Sequence, residues 1–206
     1  MGITERKEKE REEMRAMILH AAQKIFLENG YEKTSIRNIS DAIEYSPATI
    51  YLYYKDKNEI LFAIHQHGFE KMISAFEVLL LVSDPMDRLK EMGNYFIAFA
   101  LENPDLYNLM FVMDAPMETL DLKNQHWQEG ADAFNAVKLC IQNCIEAGYL
   151  EVDTNVELVS LTVWSYLHGL LMLYLKDRLK MLEDDRNRGR IYESFALFLK
   201  MLKKPI

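Results

Sequence analysis

Two cysteines, five histidines and thirty-two carboxylates are the side chains of this 206-residue chain best suited to covalent, metal or acid–base chemistry. Their spacing argues against each use. Cys140 and Cys144 lie one helical turn apart in an apolar stretch, which suits two small core side chains better than a disulfide framework, with a redox switch as the competing use. His65 and His67 are two residues apart and so diverge on a helix, unlike a metal pair at i, i+4. There is no glycine-rich phosphate loop, nucleophile elbow or metal-ligand spacing, so no catalytic residue, metal or cofactor is expected, and the chain does not read as an enzyme.

Large apolar side chains gather in the later part of the chain: Phe69, Phe96, Tyr107, Met110, Phe111, Trp127 and Trp164, among others. Aromatic and Met stripes at helical spacing are more often core than pocket. As a group they can line a cavity for an apolar or aromatic molecule, with His126, His168, Asn94 or Tyr107 fixing its orientation. His168 also fits a core histidine bonded to a neighbouring helix.

Those side chains must be positioned by helices. Only 5 Pro and 8 Gly occur, strand-like alternation is absent, and the abundant residues are those that lose least freedom in a helix, so the expected class is all-α. No apolar run is expected to reach the ~18 residues that cross a bilayer, and Met1 to Arg15 is a dense mixture of charges rather than a signal peptide. A cytoplasmic protein without a membrane partner is expected. The net charge of −8 disfavours polyanion binding in general, but residues 1–57 carry 10 basic and 10 acidic side chains and are neutral, so residues 58–206 supply the whole excess.

Periodicity places a first helix from Glu8 to Asn29, ended by Gly30, and a short second one capped by Thr34 with Ile36, Ile39 and Ile43 on one face. A turn at Glu44-Tyr45 leads to a third, capped by Ser46 with Pro47 at its first position and running to about Tyr54. Asp56 caps a fourth, from Lys57 toward Leu81. Further helices are expected from Ser83 or Asp84 to Glu102, from Pro104 to about Met113, from about Lys123 to Ala147, from Asp153 or Thr154 to about Leu182, and from Arg188 to Lys203, with loop over Asp114 to Leu122. Three short helices within 50 residues, the last two joined by a tight turn, form the helix-turn-helix geometry that sets one helix in a DNA major groove.

Ala21-Ala22, Phe26, Gly30-Tyr31, Thr34-Ser35-Ile36, Ile39, Ser46-Pro47-Ala48-Thr49-Ile50-Tyr51, Tyr53-Tyr54, Lys57 and Leu61 resemble, in order and spacing, the signature of the TetR/AcrR regulators. One departure is Glu44, where that family has Gly in the turn, so a non-Gly residue must take a positive φ or the turn must adjust. Pro104 to Phe111 and Trp164-Ser165-Tyr166-Leu167-His168-Gly169-Leu170 resemble the WHG-type ligand domain of some of its members. The resemblance implies a DNA-binding domain over 1–57 and a helical ligand-binding and dimerisation domain over 58–206.

It also implies roles. Pro47, Ala48 and Thr49 start the recognition helix, where small side chains approach base edges closely. Tyr51 and Tyr53 resemble phosphate-contacting aromatics, Thr34 and Arg37 lie near the DNA backbone, and Lys57 adds charge at a helix N-terminus. The basic residues of the N-terminal arm alternate with glutamates and read mainly as a solvated, self-paired face. The implied partners are a palindromic double-stranded operator, a small-molecule effector and a second copy of the chain, docked through the apolar faces of Val156, Val159, Val163, Leu167, Leu171 and Tyr174 and of Ile191, Phe195, Phe198 and Leu202. The implied action is repression. The alternative is a helical protein-interaction adaptor without DNA binding.

Overall fold

A computed structural model describes residues 2–122, 127–182 and 187–203, and among them all regular structure is helical, with no strand. The helices are α1 (Ile3–Asn29), α2 (Ile36–Ala42), α3 (Pro47–Tyr51), α4 (Lys57–Leu79), α5 (Pro85–Glu102), α6 (Pro104–Phe111), α7 (Ala115–Leu122), α8 (Gln128–Glu146), α9 (Val156–Leu175) and α10 (Asn187–Leu202). A 3₁₀ turn spans Arg178–Met181.

Local chemistry sets most ends. α1 starts five residues earlier than its apolar period, carried by pairs at i, i+4 such as Arg6–Glu10 at 2.8 Å. Ser46 caps α3, Asp84 caps α5 by accepting from Met86 and Asp87, and Asp56 accepts from the Glu59 N–H at the start of α4.

Five expectations are corrected. Ser35, not Thr34, caps α2, because its hydroxyl accepts from Asn38 N while the Asn38 side chain accepts from Ser35 N. Ala115 to Leu122, expected as loop, is the helix α7, with Pro116 in its first turn where a missing N–H costs nothing. The helix expected from Lys123 begins, among the described residues, at Gln128; residues 123–126, His126 included, lie outside them. Asn155, rather than Asp153 or Thr154, caps α9, and that helix stops at Leu175 because Asp177 takes a left-handed conformation with φ 57°.

The chain forms two compact units, one from Met1–Gly68 with Asp105–Trp127, the other from Phe69–Pro104 with Gln128–Ile206. In the first, Ile18, Ala22 and Phe26 of α1, Ile39 of α2 and Ile50 of α3 are buried, and α2 packs on both α1 and α3. In the second, α5, α8, α9 and α10 pack on one another around Leu89, Ile97, Ile141, Leu171, Ile191 and Phe195. Gly93 fixes how closely α5 meets α10: a Cβ there would collide with the Phe195 ring.

α9 is long and apolar enough to cross a membrane by length and composition, contrary to the sequence expectation, with a mean hydropathy of 1.5. It packs against α5, α8 and α10 on one side and leaves Leu158, Leu161 and Leu173 exposed on the other. Val163, Leu167 and Leu171, expected on a face between subunits, are buried within the chain, as are Ile191 and Phe195 of α10. The apolar side chains these helices expose are instead Leu158, Leu161, Leu173, Leu197 and Met201.

Candidate functional site

The helix-turn-helix surface is built by short-range bonds. Backbone N–H groups of Ile43 and Tyr45 both donate to the Ser40 carbonyl, at 3.3 and 3.0 Å, and this closes the turn between α2 and α3. Glu44 lies inside it with φ 59°, so the turn keeps the geometry that favours glycine and the glutamate adopts it. Ile50, at 0% exposure, pins α3 to the domain, while Pro47, Ala48, Tyr51 and Leu52 face outward, the last two 57% and 75% exposed. Thr49 is half-buried, its hydroxyl 3.0 Å from that of Ser46. Tyr53 is half-buried and Tyr54 buried, with its phenol held above the ordinary range by burial.

The flanking candidates divide. Arg37 is exposed on α2, its guanidinium 4.0 Å from Asp41 one turn on. Thr34 is 3% exposed and donates its hydroxyl to the Gly30 carbonyl at 2.9 Å, so it braces the turn after α1. The Lys57 ammonium donates to the carbonyls of Tyr31 and Glu32, at 3.0 and 3.4 Å, and lies 4.2 Å from the centre of the Tyr31 ring. Tyr31 is held in turn by a bond from its hydroxyl to Asn58. Tyr45, 43% exposed beside the turn, is a surface side chain that periodicity did not single out, because one aromatic in a turn belongs to no apolar stripe.

The candidates for an apolar ligand separate into two groups. In the second unit, Phe96 and Trp164 help to line a cavity of ≈30 Å³ together with Met72, Phe76, Leu89 and Met92. His168 abuts both rings, 5.1 Å from Phe96 and 5.3 Å from Trp164, and burial lowers its pKa to about 4, so the imidazole is neutral at physiological pH. Phe69 is fully buried in the same unit. In the first unit Tyr107 is buried, its ring 5.3 Å from Phe111, and burial pushes its phenol up; Met110 is buried where α6 crosses Gly68, and Trp127 lies 6.2 Å from the buried His65.

Met72, Leu89 and Met92 were not singled out in the sequence, since isolated Leu and Met on a helix give no sign of lining a void rather than filling one. Their nearest signal is Gly93, the one residue without a side chain in that part of α5. Cys140 and Cys144 are buried free thiols; Cys140 donates to the Pro85 carbonyl at 3.4 Å, and the bond Cys144 makes to Cys140 holds the Cys144 proton firmly. Among the described residues no group of three or more His, Cys, Asp or Glu side chains could hold a metal ion.

Residues 18–64 match the family described as bacterial regulatory proteins, tetR family, and residues 89–201 match the tetracyclin repressor-like C-terminal domain. The chain belongs to the TetR family. This TetR-family chain is 22% identical over 198 residues to the HTH-type transcriptional regulator TtgR of Pseudomonas putida, covering 88% of this chain and 90% of that one. It is 27% identical over 105 residues to the HTH-type transcriptional activator FasR of Mycolicibacterium smegmatis, covering 50% and 48% of the two chains. A solved TetR-family regulator from Syntrophomonas wolfei shares the fold over 95% of both chains, with a TM-score of 0.73 at 22% identity. The protein is therefore a DNA-binding transcriptional regulator with a helix-turn-helix and a helical C-terminal domain, and not an enzyme.

Proposed function

We propose that this TetR-family regulator is a cytoplasmic, homodimeric repressor that leaves a palindromic operator when a small apolar or aromatic molecule enters its C-terminal domain. The observation that carries the reading is α3: a five-residue helix capped by Ser46, anchored by Ile50, and presenting Pro47, Ala48 and Tyr51 to the outside. Such a helix meets base edges with small side chains and backbone oxygens with a phenol. Pro47, Ala48, Thr49 and Tyr51 are assigned to the groove, Tyr53, Arg37 and Lys57 to phosphates, and Thr34 to the turn that supports them. Residues 1–57 bind DNA on this reading, and residues 58–206 sense and dimerise.

The exposed Leu158, Leu161 and Leu173 of α9 and Leu197 and Met201 of α10 support a twofold partner, because an apolar band on two adjacent helices is stable in water when covered. A twofold dimer sets two recognition helices on successive major grooves. The sign of regulation is assigned here as repression by occlusion; because FasR, a relative, is called an activator, a reporter carrying the operator across its promoter tests that sign directly.

The ligand reading rests on the purely apolar cavity beside His168. At ≈30 Å³ it is far below the ~300 Å³ of a typical ligand site, so binding must displace side chains of α4, α5 and α9. Because α4 runs unbroken from Lys57 to Leu79, movement at Met72 or Phe76 is transmitted along one helix to Lys57. A coupling of ~1–3 kcal/mol is sufficient for release.

The test uses the full chain in a gel shift on duplexes drawn from the DNA upstream of its gene, with Tyr51→Ala as control. A sequence-specific complex of two chains per site, weakened at least about tenfold in Tyr51→Ala, supports the reading; a monomer that binds no duplex supports the adaptor instead. Quenching of the two tryptophans by a panel of apolar aromatic compounds, repeated on the DNA complex, reads the effector step.

A further inference from the structure

The start of α1 buries no side chain, yet its charges are not arranged evenly. α1 begins at Ile3, and its side chains from Thr4 through Met17 are exposed or half-buried before Ile18 enters the core. Two of the five basic residues in that arm are paired one turn ahead, Arg6 with Glu10 at 2.8 Å and Lys9 with Glu13 at 3.7 Å. Lys7, Arg11 and Arg15 stand at i, i+4 and i+8, and all three are exposed. Continuing that spacing leads to Ile18, Ala22 and Ile25, the buried stripe of α1, whose helix packs on α2. The three cations therefore extend, over about 12 Å of helix, the side of α1 that faces the helix-turn-helix. Arg15 confirms the direction, because its guanidinium lies 5.8 Å from the ring centre of Tyr54, three residues beyond the end of α3. Glu5, Glu8 and Glu12 occupy the next face round, and Glu5 is engaged with the Gly2 N–H at 2.8 Å.

We propose that α1 is a helical arm whose Lys7-Arg11-Arg15 stripe lies along the phosphate backbone of duplex DNA flanking each half-site. The arm as a whole is neutral, so what it contributes is an oriented row of cations rather than a positive segment. That favours a regular line of phosphates over a diffuse polyanion. Glutamine at these positions retains helix propensity, so the charge is removed without melting the arm. The inference rests on the DNA-binding reading above, and the experiment separates their failures.

Duplexes are first selected by the wild-type chain from a pool of random sequence. Dissociation constants are then measured against salt for the wild type, Lys7→Gln/Arg11→Gln and Arg6→Gln/Lys9→Gln. Both variants lose two positive charges from the same arm. The expected result, with two arms per dimer and so four cations removed, is that Lys7→Gln/Arg11→Gln lowers the slope of log K against log salt by about 4 and weakens binding about a hundredfold, whereas Arg6→Gln/Lys9→Gln changes the slope by less than half as much. On a duplex trimmed to the half-sites the difference should vanish. Equal slopes in the two variants, or a wild-type slope in Lys7→Gln/Arg11→Gln, would overturn the arm. Failure of the wild type to select any duplex would instead overturn the DNA-binding reading.

Discussion

The helix-turn-helix and the four-helix packing of α5, α8, α9 and α10 solve opposite problems with similar elements. In the first, the bonds that shape α2, the turn and α3 span three to five residues, Ser35 with Asn38, Ser46 with Thr49 and Ser40 with Tyr45, and only the start of α4 is tied in from afar, by Lys57 to Tyr31. In the second, the contacts that shape the cavity join residues far apart in the chain, such as Phe96 with Trp164 and Gly93 with Phe195. A surface that works through exposed side chains tolerates change without unfolding. A cavity made of core does not, and loss of function there is inseparable from loss of packing.

That contrast can be broken most severely at Gly93. Gly93→Leu forces four carbons into space held by Phe195, and should destabilise the chain by about 3 kcal/mol or more, read as a lowered midpoint in urea denaturation. Survival of this variant at wild-type stability would mean that α5 and α10 yield easily and that the second unit is not core-limited.

Next in size is the response to acid. His168 has a pKa of about 4 in the folded chain, below the ordinary 6.5 that it regains on unfolding. Between those values the unfolded chain binds the extra proton, so stability is full above pH 6.5 and falls as pH drops toward 4, by about 3 kcal/mol in all. Across that range the stability of wild type should fall relative to that of His168→Leu as the pH is lowered, read from thermal melts. Parallel curves would place the imidazole in contact with water.

The surface prediction is smaller and of another kind. Tyr51→Ala should weaken operator binding by about 1.5–2 kcal/mol while the melting temperature stays within a degree or so of wild type, since more than half of the side chain is already in solvent. A fall in stability matching the fall in affinity would erase the distinction between the two regions. Smallest is Glu44→Gly, which relieves the cost of a left-handed conformation and should raise stability by about 0.5–1 kcal/mol in a thermal melt, with operator affinity unchanged.

The same contrast explains what could be read without coordinates. The helix-turn-helix was legible because Ser46, Pro47 and Asp56 act on their immediate neighbours, and their meaning travels with the local string. Even there the cap expected at Thr34 is Ser35, as two adjacent hydroxyls are equivalent in a sequence and differ only in which reaches Asn38 N. The cavity was half legible: Phe96 and Trp164 were singled out as large aromatics, whereas Tyr107, Met110, Phe111 and Trp127 share their composition but belong to the other unit. The face exposed by α9 and α10 was only partly legible, with half of the residues expected there half-buried and the other half buried, since a helix apolar nearly all round, as α9 is, does not declare which stripe its neighbours cover.

The contact at Gly93 has a thermodynamic consequence. Gly93 forms part of the cavity wall, and the ring pressed against it belongs to α10, a helix proposed to join the two subunits. A guest that needs room on that side must move Phe195, and with it the dimerisation surface. Occupancy and self-association are then linked: dimerisation changes effector affinity by the same factor by which the effector changes the dimer dissociation constant, so a shift in that constant offers a way to detect an effector before its chemistry is known.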